Sequence, residues 1–432
     1  MTAYSVATTA ALEPFLDEAT ATAMFRRAGV DIDCARPEYL RHKPGETTLI
    51  SYLFVTGDGD AARGYVHWSV RPERADEILA KARTLRPGPT LVGVTASRID
   101  ARSVFYGFPN DARLRRLRWY TTPRKLKRSL TALAPPGEQL SGSGSTVEVL
   151  RYKPERRLVA KVVLATTAGT ERRLLVRYST SPRAAGMAAI ARRLRGHGVR
   201  TPAPLAQLEG GHVGVDELIA GTELRSATRA GGAEPAELAA AVVEFHATTV
   251  PSGVGTRTCG EELGRVESGL VGLSRREPCL AGFATTVAGV LRATVPIDRG
   301  RSVLLHGDLH DHNVLVTPDG VSFIDLERVA IGPAAIDLGC LRGHAISLDV
   351  RERGSSPDAR DHADSMIAAY RSRTAPIADH DVAWHTAVAI VDQAILAGRH
   401  LAPGWPDTTR ALLDAALGEL GGLDRARRHV SA

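Results

Sequence analysis

The chain repeats itself. The stretch "YLRHKPGETTLISYLFVTGDGDAARGYVHWSVRPE", from Tyr39, aligns without a gap on "VLRYKPERRLVAKVVLATTAGTERRLLVRYSTSPR", from Val149, at an offset of 110 residues. Leu40, Arg41, Lys43, Pro44, Gly59, Arg63, Val66, Ser69 and Pro72 recur as Leu150, Arg151, Lys153, Pro154, Gly169, Arg173, Val176, Ser179 and Pro182. Nine identities in one register fix the architecture more firmly than any local propensity, because a repeat implies two copies of one small folding unit. Each copy reads as strand, proline-centred turn, strand, glycine-containing turn, strand and helix. The alternation in "RLVAKVVL" and "RRLLVRYS" suits antiparallel strands with one buried face. After the second copy, Met187, Ile190, Ala191 and Leu194 form one helical stripe, opened by Ser181-Pro182 and closed near Gly196 and Gly198.

From about Glu223 onward the pattern becomes helical, as in "AELAAAVVEFHATTV", "DHADSMIAAYRSR", "DVAWHTAVAIVDQAILAGRHL" and "DTTRALLDAALGEL". One β-hairpin interrupts it: "HGDLHDHNVLVTPDGVSFIDLE", His306 to Glu327. Its spacing brings two acids and an amide to the ends of a pair of short apolar strands. Transfer of a phosphoryl group needs a positioned hydroxyl and charge neutralisation at the phosphate oxygens rather than elaborate covalent chemistry. A carboxylate at the loop's start, Asp308, suits the task of accepting or orienting the hydroxyl proton. An amide oxygen and a carboxylate on neighbouring strands, Asn313 and Asp325, suit Mg²⁺, which prefers oxygen donors. A zinc site built from His306, His310 and His312 is the competing reading, but the spacing is irregular and lacks a fourth ligand.

These residues resemble the catalytic and metal-binding loops of the aminoglycoside phosphotransferase and choline kinase-like family, whose members share a protein-kinase-like fold. "GPAAIDLGCL" is similar to that family's downstream Pro-x-x-Asp-Leu segment, and "VDELIAGTEL" to its hinge; the resemblance spans roughly Leu140 to the C-terminus. It implies ATP, or GTP in its place, and Mg²⁺ as cofactors, with a small-molecule hydroxyl as acceptor. It implies adenine contacts from the main chain of Glu217 and Ile219. Asp337 and His306 become supports of the catalytic loop, and His310 a neighbour of substrate. Antibiotics, nucleosides, sugars and amino alcohols are the candidate acceptors, and Asp349, Glu352, Asp361 and Asp364 are acids available to a cationic one.

Two expected parts are altered. The strand position that normally carries a phosphate-binding lysine holds Arg177, and no acid lies between Arg172 and Gln207 to pair with it. Arginine can grip phosphate itself; Lys161 on the preceding strand can supply the charge instead; or the site has kept nucleotide binding and lost catalysis, which makes a partner-recruiting, pseudokinase-like module the alternative function. In the turn "YKPERRL", Lys153 and Arg156 are candidates for phosphate contact or an ordinary charged hairpin tip. In the first copy His67 stands at the Arg177 position with no catalytic loop after it, so that unit is expected to be non-catalytic: a cap, a homodimer surface or part of the acceptor pocket.

The resulting fold class is α+β: a bilobal kinase-like fold with an antiparallel small lobe and a mainly helical large lobe, preceded by a second small-lobe-like unit. The expected divisions are 1–130, 131–222 and 223–432. Composition adds exclusions. No apolar run reaches the length of a membrane span, and the first residues lack a secretory signal, so a cytoplasmic protein with no membrane partner is expected. Cys34, Cys259, Cys279 and Cys340 are scattered, which argues against a disulfide framework or zinc site. The net charge of +7 comes almost wholly from arginine, since only six lysines occur. It suits an acidic ligand such as a nucleotide. The basic stretch Ala112–Leu130 is expected to be a solvated helix and linker; no nucleic-acid motif accompanies it, so no nucleic-acid partner is expected.

Overall fold

The structure, a computed structural model, describes residues 11–430 apart from 44, 85–87, 250–252, 298–301, 355–356 and 401–403. Pro44 of the repeat and the first ten residues lie outside the described ones. The chain forms two compact units, 1–188 with 204–218 and 189–203 with 219–432.

The first unit holds two five-stranded antiparallel sheets. After α1 (Glu18–Arg27) come β1 (Cys34–Lys43), β2 (Thr47–Val55), β3 (Ala61–Ser69), α2 (Pro72–Thr84), β4 (Ala96–Asp100) and β5 (Ser103–Gly107). Two short helices, α3 (Leu117–Thr121) and α4 (Pro123–Ser129), lead to β6 (Thr146–Lys153), β7 (Arg157–Ala165), β8 (Glu171–Ser179), α5 (Ala184–Gly196), which belongs to the second unit from residue 189 on, β9 (Pro204–Leu208) and β10 (Val213–Glu217). The sheet orders are β1-β2-β3-β5-β4 and β6-β7-β8-β10-β9. The repeat is therefore structural as well as sequential. It runs further than the sequence match, since each helix is followed by a strand pair that the alignment does not reach.

Burial explains why the two copies diverged. In β7, Leu158, Ala160, Val162 and Leu164 are buried while the alternating residues are half-exposed, the pattern of a sheet with one face in a core. The first sheet is buried on both faces. On one, Phe25 of α1 packs edge-on against Tyr52, Phe54 and Phe105, with ring centroids 4.8–5.3 Å apart. On the other, Leu49, Tyr65, Val104 and Tyr106 share a single core with Leu158, Ala160, Val162, Leu174, Val176, Val213 and Val215 of the second sheet. Leu114, Leu117, Tyr120, Leu126 and Leu130 join that core. The stretch 112–130 is thus not the solvated linker its charge suggested. Its leucines and Tyr120 belong to the shared core, and arginines such as Arg113, Arg115, Arg116 and Arg118 stay exposed.

The second unit is mainly helical: α6 (Leu224–Arg229), α7 (Pro235–Ala247), α8 (Cys259–Arg276), α9 (Ala281–Ala293), α10 (Ala335–Arg351), α11 (Pro357–Arg371), α12 (Asp379–His400) and α13 (Trp405–Val430). Short strands β11 (Thr222–Glu223), β13 (Val314–Thr317) and β14 (Gly320–Phe323) form one small sheet, and β12 (Ser302–Leu305) pairs with β15 (Ala330–Pro333). α10 and α12 approach closely because glycine occupies the crossing: a Cβ at Gly339 would sit 2.5 Å from His385 Cβ. Among the described residues no helix is long and apolar enough to cross a membrane.

Candidate active site

The hairpin β13–β14 pairs Val314 with Phe323, and the Ile324 amide donates to the Asn313 carbonyl at 3.0 Å. Asn313 and the residue before Asp325 are therefore locked side by side, the arrangement the sequence spacing implied. Asp325 follows in the left-handed region at φ 58°, ψ 60°. A non-glycine residue there costs about 1 kcal/mol or more, and such strain is typically retained at functional sites.

Asp308 sits beside this pair. Its carbonyl accepts from Asn313 Nδ2 at 2.9 Å, and its Oδ1 accepts from Arg328 at 3.0 Å. The Asn313 amide nitrogen also lies 3.1 Å from His310 Nε2. Burial pushes the Asp308 carboxyl up, but the Arg328 guanidinium leads the neighbouring positive charge that outweighs it, and the group is held below the usual carboxylate range.

The turn before Asp308 rests on Asp337, which is fully buried. Asp337 accepts from the main-chain amides of His306 at 2.7 Å and Gly307 at 2.8 Å, and from His246 Nε2 at 3.1 Å. Tyr370 completes the chain by its hydroxyl at 2.7 Å from His246 Nδ1. Burial raises the Asp337 pKa, yet the His246 hydrogen bond, the positive fields of His246 and His306 and the Gly307 amide more than reverse this. Gly307 has φ 77°, and a Cβ there would lie 2.0 Å from the Arg328 carbonyl oxygen, so no other residue fits. His306 Nε2 donates to the Ile324 carbonyl at 2.9 Å. Arg257, anchored by a two-pronged contact with Glu262 at 2.8 Å each, donates to the Gly307 carbonyl at 2.7 Å.

The zinc triad considered from the sequence does not assemble. Among the described residues the only side-chain group spaced for a metal is Asp308, His310 and His344, whose ligand atoms lie within 4.8 Å of one another. His306 is instead committed to Ile324, and His312 Nδ1 to Glu223 at 2.8 Å. His310 and His344 stack with ring centroids 4.3 Å apart.

In the first unit, β7–β8 register pairs Lys161 with Leu175 and Val159 with Arg177, so Lys161 and Arg177 project from the same face, opposite the shared core. The acid missing from α5 is supplied by a strand. Asp216 on β10 receives Arg177 Nη2 at 2.6 Å. Burial raises the Asp216 carboxyl against the opposing pull of Arg177. Lys161 is held by Glu148 at 3.2 Å, with both side chains more than a third exposed. Glu217 closes β10, and Ile219 follows where the chain passes from the first unit to the second.

The turn "YKPERRL" has a different role from the one its charge implied. Glu155 at its tip is buried, adopts φ 57°, and reaches across to the first sheet. It accepts from His67 Nδ1 at 3.0 Å and lies 3.9 Å from Arg41. Its own amide donates to Asp111 at 2.8 Å, and Asp111 also takes the Tyr152 hydroxyl at 2.7 Å. Lys153 lies over the Tyr39 ring, 5.6 Å from its centroid. His67, the counterpart of Arg177 in the first copy, is thus occupied by an acid of the second copy.

Arg328, Arg257, Asp216 and Glu155 were not singled out from sequence. Asp216 had a detectable signal, since it lies in the hinge strand one residue from Glu217. The others depend on contacts between distant segments, which no local pattern encodes.

Comparison with known proteins follows the same lines. Residues 153–377 match the phosphotransferase enzyme family, more than half of the chain. Methylthioribose kinases 1 and 2 of Oryza sativa subsp. japonica are 38% and 37% identical over 65 residues, and the chain spans 15% of the length of these curated relatives and 15% of its own. Choline kinase from Cryptosporidium parvum Iowa II superposes with a TM-score of 0.52 at 13% identity, covering 70% of this chain and 96% of that one. An ethanolamine kinase of Plasmodium vivax gives 0.48 at 13% identity, covering 71% and 94%. With that match over more than half of its length and a kinase-like fold, the chain belongs to the phosphotransferase enzyme family.

Proposed function

We propose that the protein transfers the terminal phosphoryl group of ATP to a hydroxyl of a small molecule. The observation that carries this reading is the bond from Asn313 to the Asp308 carbonyl, with the Ile324 amide on the Asn313 carbonyl bringing the chain before Asp325 alongside, all built on the buried Asp337 support. Asp308 is the residue that orients the acceptor hydroxyl and takes its proton as the new O–P bond forms. A carboxylate kept ionised by Arg328 is a weak base but a good orienting acceptor, which suits a loose transition state in which proton loss is late.

Asn313 and Asp325 are the proposed Mg²⁺ ligands. The donor set fits: both offer oxygen, and the Asn313 amide nitrogen is already used by the Asp308 carbonyl. A bound Mg²⁺ would neutralise phosphate charge. Arg177, steadied by Asp216, and Lys161 are the proposed phosphate contacts, with the Glu217 carbonyl and Ile219 amide serving the adenine. GTP is the alternative donor, since main-chain contacts of this kind do not by themselves choose the base.

The proposed division assigns 131–222 to the small lobe, 223–432 to the helical lobe and 1–130 to a non-catalytic repeat. The Glu155 contact with His67 supports the last assignment, because it fills the repeat's own equivalent of the phosphate-binding position. The repeat is also a candidate homodimer surface. A cytoplasmic location, where nucleoside triphosphate is available, accords with this reading. The alternative of a nucleotide-binding module without catalysis drew on the missing lysine–acid pair; the Arg177–Asp216 pair weakens that argument. Release of ADP, measured with Mg²⁺ over a panel of hydroxyl compounds, tests the proposal. Nucleotide binding without ADP release for any acceptor would favour the alternative.

A further inference from the structure

The second unit contains a pocket beside the catalytic loop, between α6, α10 and α11, with about 40 Å³ of enclosed space opening into about 520 Å³ that includes solvent at its mouth. Its inner end meets the proposed chemistry directly. His344 lines it, and the His344 ring lies within 4.8 Å of the Asp308 carboxylate. Asp311, three residues beyond Asp308, lines it too.

The walls are mainly carbon, from residues such as Leu224, Leu341, Ala345, Leu348, Ala359 and Ala363. Among the described residues no aromatic ring other than histidine lines the pocket, so these walls form no cage for a quaternary ammonium group. The charges balance. Arg225 and Arg229 line the pocket together with Asp311 and Asp358, and both arginines share the Glu352 carboxylate just outside it. Burial lowers His344 to a pKa of about 3 and also lowers His362, so neither adds positive charge near neutral pH. None of the four acids Asp349, Glu352, Asp361 and Asp364, considered above as partners for a cationic acceptor, lines the pocket. One polar atom is unspent. Arg225 Nε is buried without a hydrogen-bond partner and is closed to water in this arrangement, so only other parts of the guanidinium are open to the pocket.

Resting on the phosphotransfer reading above, we infer that this pocket holds the acceptor, and that the acceptor is an uncharged hydroxyl compound with an apolar body. A carbonyl or ether oxygen of the compound accepts from the Arg225 guanidinium, and its reacting hydroxyl points past His344 to Asp308. The two acids of the lining are matched by its two arginines, so the walls themselves offer a polycation no net negative charge.

The test is ADP release with MgATP and four probes: erythronolide and thymidine as uncharged compounds, streptomycin and choline as cationic ones. The pocket assignment predicts turnover with an uncharged probe. It also predicts that Arg225→Leu raises the acceptor KM about tenfold, the cost of one lost hydrogen bond in a buried site, while the ATP KM stays within twofold. Ala359→Trp, at a half-exposed helix position, is expected to raise the acceptor KM likewise by filling the space. Turnover confined to streptomycin or choline overturns the inference and leaves phosphotransfer standing, as does an acceptor KM unmoved by both variants. If no probe gives ADP, phosphotransfer itself fails for this panel; the pocket is then judged by thermal stabilisation with erythronolide and thymidine. Stabilisation that Ala359→Trp abolishes upholds an uncharged ligand in this pocket, and no stabilisation sinks it.

Discussion

Replacing Glu155 by alanine tests whether the first repeat holds the β6–β7 hairpin. In the wild type the Glu155 side chain is 9% exposed and its carboxylate faces His67 and Arg41. Removing one partner of a buried pair costs about 3–5 kcal/mol when the remaining charge is sealed from water. Here the Arg41 side chain is 23% exposed and can rehydrate, so we expect about 2–3 kcal/mol. Glu155→Gly should recover about 1 kcal/mol of this relative to alanine, because the site has φ 57°. Amide hydrogen exchange over 152–159 reads the effect locally; 2–3 kcal/mol corresponds to roughly 30- to 150-fold faster exchange. The pH dependence has a definite sign. Burial alone would raise the Glu155 pKa, but His67, Arg41 and Arg113 lower it below the ordinary 4.5, so its contribution is present above that value and lost as pH falls through the folded pKa. Asp111 in the same cluster is shifted upward by burial and acts in the opposite sense, so the difference between wild-type and Glu155→Gln curves isolates Glu155. Exchange in Glu155→Ala within twofold of wild type would refute the idea that this contact fastens the hairpin.

Other substitutions probe other parts. Gly307→Ala is expected to abolish ADP release and lower thermal stability, since its Cβ would collide with the Arg328 carbonyl at 2.0 Å; a stable, active variant would show that the turn relaxes freely. Asp216→Asn should raise the ATP KM about tenfold through a loosened Arg177 while leaving the acceptor KM unchanged, as checked by steady-state kinetics. Asn313→Ala should raise the Mg²⁺ concentration needed for half-maximal ADP release by about tenfold or more, measured by Mg²⁺ titration at fixed ATP.

The repeat and the hairpin were legible because each depends on local order. A match at a fixed offset needs no tertiary knowledge, and a strand–turn–strand places Asn313 next to the Asp325 segment by geometry alone. What stayed hidden was the use of surfaces. Glu155 reads as a charged hairpin tip, and only the packing of the second sheet's buried face against the first reveals its destination. The basic run 112–130 was misread for a similar reason: leucines spaced between arginines look like an amphipathic surface helix, whereas here the apolar side is shared by two sheets. The absence of an acid in α5 was read correctly, but its replacement came from β10, adjacent in the sheet and distant in sequence.

The most direct measurement compares Asp308→Asn with wild type for ADP release in the presence of Mg²⁺ and acceptor, alongside nucleotide affinity by calorimetry. Loss of turnover by about a hundredfold or more with the ATP dissociation constant within threefold is the expected result. Undiminished turnover in that variant would contradict the assignment of phosphoryl transfer to this loop.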